Sequence, residues 1–407
     1  MEDENILNEY EGFNQEATGV VSPKRAIYEP FEFRGDAKEF FKIWIVNIAL
    51  SVITLGIYSA WAKVRTNRYI YGNTFLNNSN FEFNADPKRI LYGRVIVVSF
   101  YGLFLLATNV LYSNTMALGV VVIFLLLFPW LARQAISFRL KSASYRNIHF
   151  KFKGSIKSFY ILSILFIIVT IIAILPFFAQ FIGFASGMNT NYDLIGLLWL
   201  AFWFIYAVVI IPIFYKKLKS LIINNSYYGK HKFEFEALKS EAIGLFFKMG
   251  LLTSAAGFII GIIMVAGAAL IEFISKQLGL TLNSYITIFI VYFAGISFYL
   301  SLIAMYKGIS DAMLSNFTRD HTEIEGCKLK GEIHPVKLGF ISFTNTFAII
   351  FSLGLLYPWA KMRYLRYKAE HTLFKCNNYD KFLSDGRDNA STIGEETMDF
   401  FDIDIGV

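Results

Sequence analysis

The sequence predicts a membrane protein, mainly α: a polytopic helical bundle of about six to eight apolar segments with repeated short cytoplasmic β-hairpins. Three observations predict it. Hydrophobic residues make up 55% of the 407 and charged residues only 17%, below the ~25% usual for soluble domains. Lys and Arg gather between stretches that carry almost no charge. A basic aromatic motif and a strand–turn–strand pattern recur along the chain. With 42 Phe and a mean hydropathy of +0.48, the chain has more apolar surface than a soluble core can bury, so lipid must solvate much of it.

Apolar segments are expected at residues 40–60, 93–113, 116–132, 159–182, 194–214, 246–271, 285–306 and 338–359. Most reach the roughly 20 residues of a spanning helix. The segment at 116–132 is short, but Leu125, Leu126, Leu127 and Phe128 make it strongly apolar. The connections alternate in character. Those at 112–116, 185–193 and 275–284 are short and, Lys276 aside, lack basic residues. The others are long and basic, carrying Lys63, Arg65, Arg68, Lys88 and Arg89, then Arg133, Arg139, Lys141 and Arg146, then Lys216, Lys217 and Lys219. The positive-inside rule assigns these to the cytoplasm and makes the middle six segments three helical hairpins. The first and last segments admit two readings. A single crossing by each would leave Lys361, Arg363, Arg366 and Lys368 outside, against the rule. The sequence therefore favours re-entrant or interfacial segments, whose turns lipid tolerates only under protein cover.

The transmembrane domain is read over residues 30–376, between tails at 1–29 and 377–407 expected to be disordered. The first tail is acidic and lacks the basic start of a signal peptide; in the second, acidic residues outnumber basic ones. The net charge of +7 lies between apolar spans, which suits a membrane topology and not nucleic-acid binding. Cys327 and Cys376 form no CxxC or Cys/His spacing, and nothing in the sequence implies a metal or other cofactor.

Trp61-Ala-Lys-Val-Arg65 with Arg68-Tyr69 recurs as Trp359-Ala-Lys-Met-Arg363 with Arg366-Tyr367. Gly56 and Gly354 stand five residues before each tryptophan, and a weaker copy, Pro129-Trp-Leu-Ala-Arg133, follows the third span. Trp rings favour the headgroup layer, and Lys and Arg reach anionic lipids of the inner leaflet. Trp61, Lys63, Arg65, Arg68, Trp130, Arg133, Trp359, Lys361, Arg363 and Arg366 are accordingly expected at the lipid interface, either as plain anchors or as a headgroup site. Membrane lipids with anionic headgroups are the expected partners. Each basic helix precedes a strand–turn–strand pattern: 73–83, 144–154, 226–235 and 321–331, with two-residue turns such as Gly229-Lys230 and Glu325-Gly326. The leading Phe31-Glu-Phe-Arg-Gly35 matches the second strand of such a hairpin. A lone hairpin is marginal in water, so these hairpins are expected to pack together.

Phe-x-Phe-x-Gly at 31–35, Asn47, Thr54-Leu-Gly-Ile-Tyr58, Trp61 and Arg68-Tyr69 together resemble the YjgN-type family of bacterial inner-membrane proteins, as does the run at 225–233. The resemblance covers about residues 30 to 375. It implies a multi-pass bacterial inner-membrane protein of a family of unknown function, and it supplies no catalytic residues.

The residues themselves offer no catalytic constellation: no Walker loop, GxSxG elbow or HExxH motif is present. The five histidines are scattered through polar segments and read as hairpin residues. Deep inside the spans stand only neutral polar groups such as Asn47, Asn109, Gln180 and Asn345, which either bond neighbouring helices or line a pathway. Two functions from different classes fit. One is transport or handling of an apolar or amphiphilic molecule. The alternative is a membrane-embedded structural or interaction protein that recruits a cytoplasmic partner.

Overall fold

The computed structural model describes residues 28–185, 201–277 and 285–376. Its organising element is a sheet in the order β1-β11-β10-β9-β8-β7-β6-β5-β4-β3-β2, antiparallel at every step. The two edge strands, β1 (Tyr28–Pro30) and β2 (Glu32–Phe33), are consecutive pieces of one segment. Its first half pairs with β11 (Thr372–Lys375) and its second with β3 (Thr74–Leu76). Between them Phe31 donates its N–H to the Thr372 carbonyl at 2.9 Å. The segment thus closes the sheet into a barrel.

Four hairpins make up most of the wall: β3 with β4 (Ser79–Phe83), β5 (Ala143–Tyr145) with β6 (Ile148–Phe152), β7 (Ser226–Tyr228) with β8 (His231–Phe235), and β9 (Thr322–Ile324) with β10 (Cys327–Gly331). Each joins three residues to five through a two-residue turn. Positive φ at Asn77 and Asn78, at Arg146 and Asn147, and at Glu325 and Gly326 gives those turns the I′ form that suits strand twist. The expected helical bundle with short hairpins is corrected here: the hairpins join into one eleven-stranded sheet. A lone hairpin has two unpaired edges, and the chain removes them by pairing hairpin to hairpin around the ring.

Helical excursions connect successive strands. α1 (Ala37–Ile53) and α2 (Ser59–Gly72) lead from β2 to β3. α3 (Pro87–Leu105), a π-helical turn at Leu106–Val110 and α4 (Asn114–Lys141) lead from β4 to β5. α5 (Ile156–Ala185) leaves β6, and α6 (Ile211–Ile223) returns to β7. α7 (Lys239–Gln277) and α8 (Tyr285–Asp320) follow β8, and α9 (Pro335–Phe351) and α10 (Tyr357–Glu370) follow β10. Each excursion starts at the end of one strand and returns to its hydrogen-bonded neighbour. All helices therefore attach at one rim of the barrel, and the tight turns occupy the other. Among the described residues four helices are long and apolar enough to cross a membrane: Pro87–Val110, Asn114–Lys141, Ile156–Leu175 and Ala201–Ile223. Part of the expected 194–214 segment lies outside the described residues.

The segments at 40–60 and 338–359 are outgoing legs of helical hairpins. Leu55 and Leu353 turn the chain with φ of 49° and 51°, followed by Gly56 and Gly354 at 89° and 92°. Gly56 N–H bonds Ser51 O and Gly354 N–H bonds Ile349 O, both at 2.7 Å, a Schellman closure in each case. The basic helices α2 and α10 are the return legs.

Local chemistry sets the helix ends. Asp36 accepts from the N–H groups of Lys38 and Glu39, and Asp86 from that of Lys88. At the returning ends Asn73, Asn225, His321 and His371 hydrogen-bond the carbonyl four residues back, at 2.7–2.9 Å.

Candidate functional site: the barrel lumen

Period-2 alternation turns one face of every strand inward. Phe31, Phe81, Phe150, Phe233 and Leu329 occupy matching places on the second strands, opposite Leu76, Tyr145, Tyr228, Ile324 and Phe374 on the first. They enclose an apolar cavity of about 210 Å³. Its width follows from strand number: about eight strands are just filled by their side chains, and this wall has more. The rings touch, with Phe81 against Tyr145 at 4.7 Å and Phe150 against Tyr228 at 5.1 Å between centroids.

The two buried tyrosines spend their hydroxyls on the wall. Tyr145 Oη donates to Leu76 O at 2.7 Å and Tyr228 Oη to Tyr145 O at 2.9 Å. Burial pushes both phenols above their ordinary pKa, so they stay protonated donors. Among the described lining residues, charge gathers at the turn-side mouth. There Arg146 donates to Ser79 Oγ at 3.0 Å and to Asn77 O at 3.3 Å, and His231 Nδ1 stands 3.6 Å from Glu325. A disulfide between Cys327 and Cys376 ties β10 to the end of the last strand at the same rim. The site is an apolar chamber with a polar opening. It can hold an apolar group.

The interface residues expected from sequence fall elsewhere. Trp359, Arg363 and Arg366 line an outer groove of about 440 Å³ with Trp359 beneath the Arg363 guanidinium at 5.3 Å. Lys63 and Asn47 line another, of about 520 Å³, with Arg94 from α3. Trp61 packs against the cluster around Ala60 and Phe83, while Arg65 and Arg68 are exposed. Trp130 is half-buried beside the buried Pro129. Arg133 and Arg366 grip the barrel through Gly154 O at 3.2 Å and Gly35 O at 3.1 Å. Lys361 lies half-buried on the inner side, with Lys368 and Asp311.

The polar span residues do not meet in the lumen. Asn47 reaches Ala62 O at 3.4 Å and Asn345 reaches Ala360 O at 2.9 Å, each joining the two legs of its own hairpin. Asn109 is exposed in the π-helical turn and bonds Leu105 O. The Gln180 side chain lies outside the described residues. Sequence reasoning passed over the lumen itself, although the recurring Phe-x-Phe at 31, 81, 150 and 233 was its signal.

A barrel with helical hairpins on one rim is the architecture in which the similarities to known proteins can be placed. The family model described as bacterial protein of unknown function, DUF898, matches residues 28–400. The chain belongs to this family. The YjgN-type relationship is direct: inner membrane protein YjgN of Salmonella typhimurium is 25% identical over 371 residues, covering 87% of this chain and 90% of that protein. Inner membrane protein YjgN of Escherichia coli K12 is 26% identical over 210 residues, half of this chain and 51% of that protein. No solved structure matches. This YjgN-type chain is a protein of the bacterial inner membrane, consistent with its long apolar helices.

Proposed function

We propose that this inner-membrane protein binds the apolar part of an amphiphilic molecule in its barrel lumen, and so serves in the handling or transport of such molecules. One observation carries the reading: a cavity of about 210 Å³ lined, apart from Arg146, by apolar and aromatic residues. An apolar cavity of roughly 150 Å³ in another protein stays dry and takes up benzene, so a chamber of this kind favours a hydrocarbon guest. Arg146 and His231 at the mouth suit the polar end of that guest. The repeated helical excursions support a multi-pass protein built on an internal repeat of helical hairpin and β-hairpin. The outer grooves at Lys63, Arg94, Trp359 and Arg363 suit anionic headgroups of the surrounding lipid.

The test is a titration of the purified full chain with carboxylates of increasing chain length, read as the melting temperature. Ligand at about 100 times its Kd adds about 2.7 kcal/mol of stability. Wild type should show a chain-length optimum, and Phe150→Trp or Phe233→Trp, which fill the chamber, should shorten or abolish it. No response at any length, or an identical profile in the filled variants, would overturn the reading.

A further inference from the structure

On the helical side of the barrel, α6, α8 and α10 bring together ionisable groups from three excursions. Asp311 on α8 accepts from Lys368 Nζ of α10 at 2.7 Å and from the Tyr364 hydroxyl of the same helix. Tyr215 of α6 shares a 3.0 Å hydrogen bond with Thr318 of α8, which brings its neighbour Lys219, 5.5 Å above the Tyr215 ring, towards the same place. Lys219, Arg319, Lys361 and Lys368 all fall within electrostatic reach of this one carboxylate. Arg139 adds to the positive field at Lys219 and Lys307 to that at Lys361, both from exposed positions. Asp320 is the other carboxylate near Arg319, and it also accepts from the Gly331 N–H.

The balance is positive, and one donor has no acceptor. The Nη1 of Arg319 is buried without a hydrogen-bond partner among the described residues. Leaving a guanidinium N–H buried and unmatched is costly, because its hydration is lost without a replacement. A phosphate or carboxylate would supply the missing acceptor and offset the surplus cations, and a guanidinium fork suits either group.

We infer that Lys219, Arg319, Lys361 and Lys368 around Asp311 form an anion site that takes a phosphate or carboxylate group, from a free anion or from a lipid headgroup. None of these residues lines the lumen, so the inference stands apart from the reading of the barrel cavity. The anion completes the charge pairing of three helices that Asp311 and Asp320 leave positive.

The experiment uses the full chain in two arms, each read by melting temperature. In detergent, inorganic phosphate is titrated against chloride at matched ionic strength. In nanodiscs without phosphate, neutral phosphatidylcholine is compared with graded additions of phosphatidylglycerol. A saturable rise in either arm supports the site; a rise with phosphate assigns a free anion, and a rise with phosphatidylglycerol alone assigns the headgroup. Arg319→Gln and Lys361→Gln should each raise the half-saturation concentration about tenfold, the loss of one charge-assisted hydrogen bond, while Arg319→Lys keeps most of the response. Should Arg319→Gln fail to fold, the half-exposed Lys361 carries the comparison. Wild type without a saturable rise in either arm, or variants with an unchanged midpoint, would overturn the inference.

Discussion

Asp311 shows how much one residue can organise. Burial alone would raise its pKa, but the hydrogen bonds from Lys368 and Tyr364, together with the Lys368 charge, outweigh burial and hold it below 3.8. A carboxylate with a depressed native pKa contributes stability that is present above its unfolded value and lost as the pH falls through the native one. Asp311→Asn should therefore destabilise the protein at neutral pH by about 1–2 kcal/mol, because Lys368 loses its charged acceptor. The deficit relative to wild type should shrink as both are taken below 3.8, where the native carboxylate becomes protonated. Thermal unfolding at neutral and acid pH reads both effects, and parallel curves at all pH values would contradict the assignment. Nothing near Asp311 in sequence announces this role. Its partners stand 53 and 57 residues further on, and only the return of α10 against α8 brings them together.

Among elements, α8 and α9 make the tightest crossing described. A Cβ on Gly308 would lie 2.8 Å from the Leu338 carbonyl oxygen and 3.0 Å from the Gly339 Cα, both backbone atoms that cannot swing aside. Gly308→Val should force the helices apart and cost about 1–3 kcal/mol, seen as a lowered melting temperature; an unchanged one would mean that the helices do not approach so closely. What the sequence disclosed at this scale follows the range of the interactions. Hairpin turns such as Gly229-Lys230 and Glu325-Gly326 need only adjacent residues, and they were legible. The return at Gly56 and Gly354 was visible as a recurring glycine but not as a turn, since the apolar run continues to it from Phe40 and from Leu338. The pairing of Phe81 with Tyr145 or of Phe233 with Ile324 joins residues separated by a whole helical excursion, and alternation does not say which strand lies alongside. A bundle was therefore the natural expectation, and the lumen went unread because it exists only once the strands close. The roles of Asn47 and Asn345 were half legible: both bond a neighbouring helix, as one of the two sequence readings held.

For the molecule as a whole, closure is the consequential property. In the barrel, Tyr28 sits opposite Lys375, at the start of the described chain and near the end of its last strand. Antiparallel partners lie only about 4.5–5.5 Å apart at Cα, so in a chain trimmed to residues 28–376 a short linker from Cys376 to Tyr28 would make the fifth β-hairpin continuous like the other four. New termini could then open at the Asn77-Asn78 turn, on the rim opposite the helices, where both residues have positive φ and the turn carries no helix. This circular permutant retains every strand pair and loses only the covalent link of one turn. It should insert in the inner membrane, purify as the same species and melt within a few degrees of wild type, because interrupted turns at exposed tips are the breaks that folds tolerate best. A second permutant opened within α8 at Ser310, between the crossing at Gly308 and the cluster at Asp311, serves as the contrasting cut and should be lost or strongly destabilised. Equal stability of the two permutants, or failure of the first with success of the second, would refute a closed barrel. Success of the turn permutant alone would mean that the strand from Tyr28 to Phe33 is the second strand of the final hairpin, pairing with Thr372–Lys375 to close one ring.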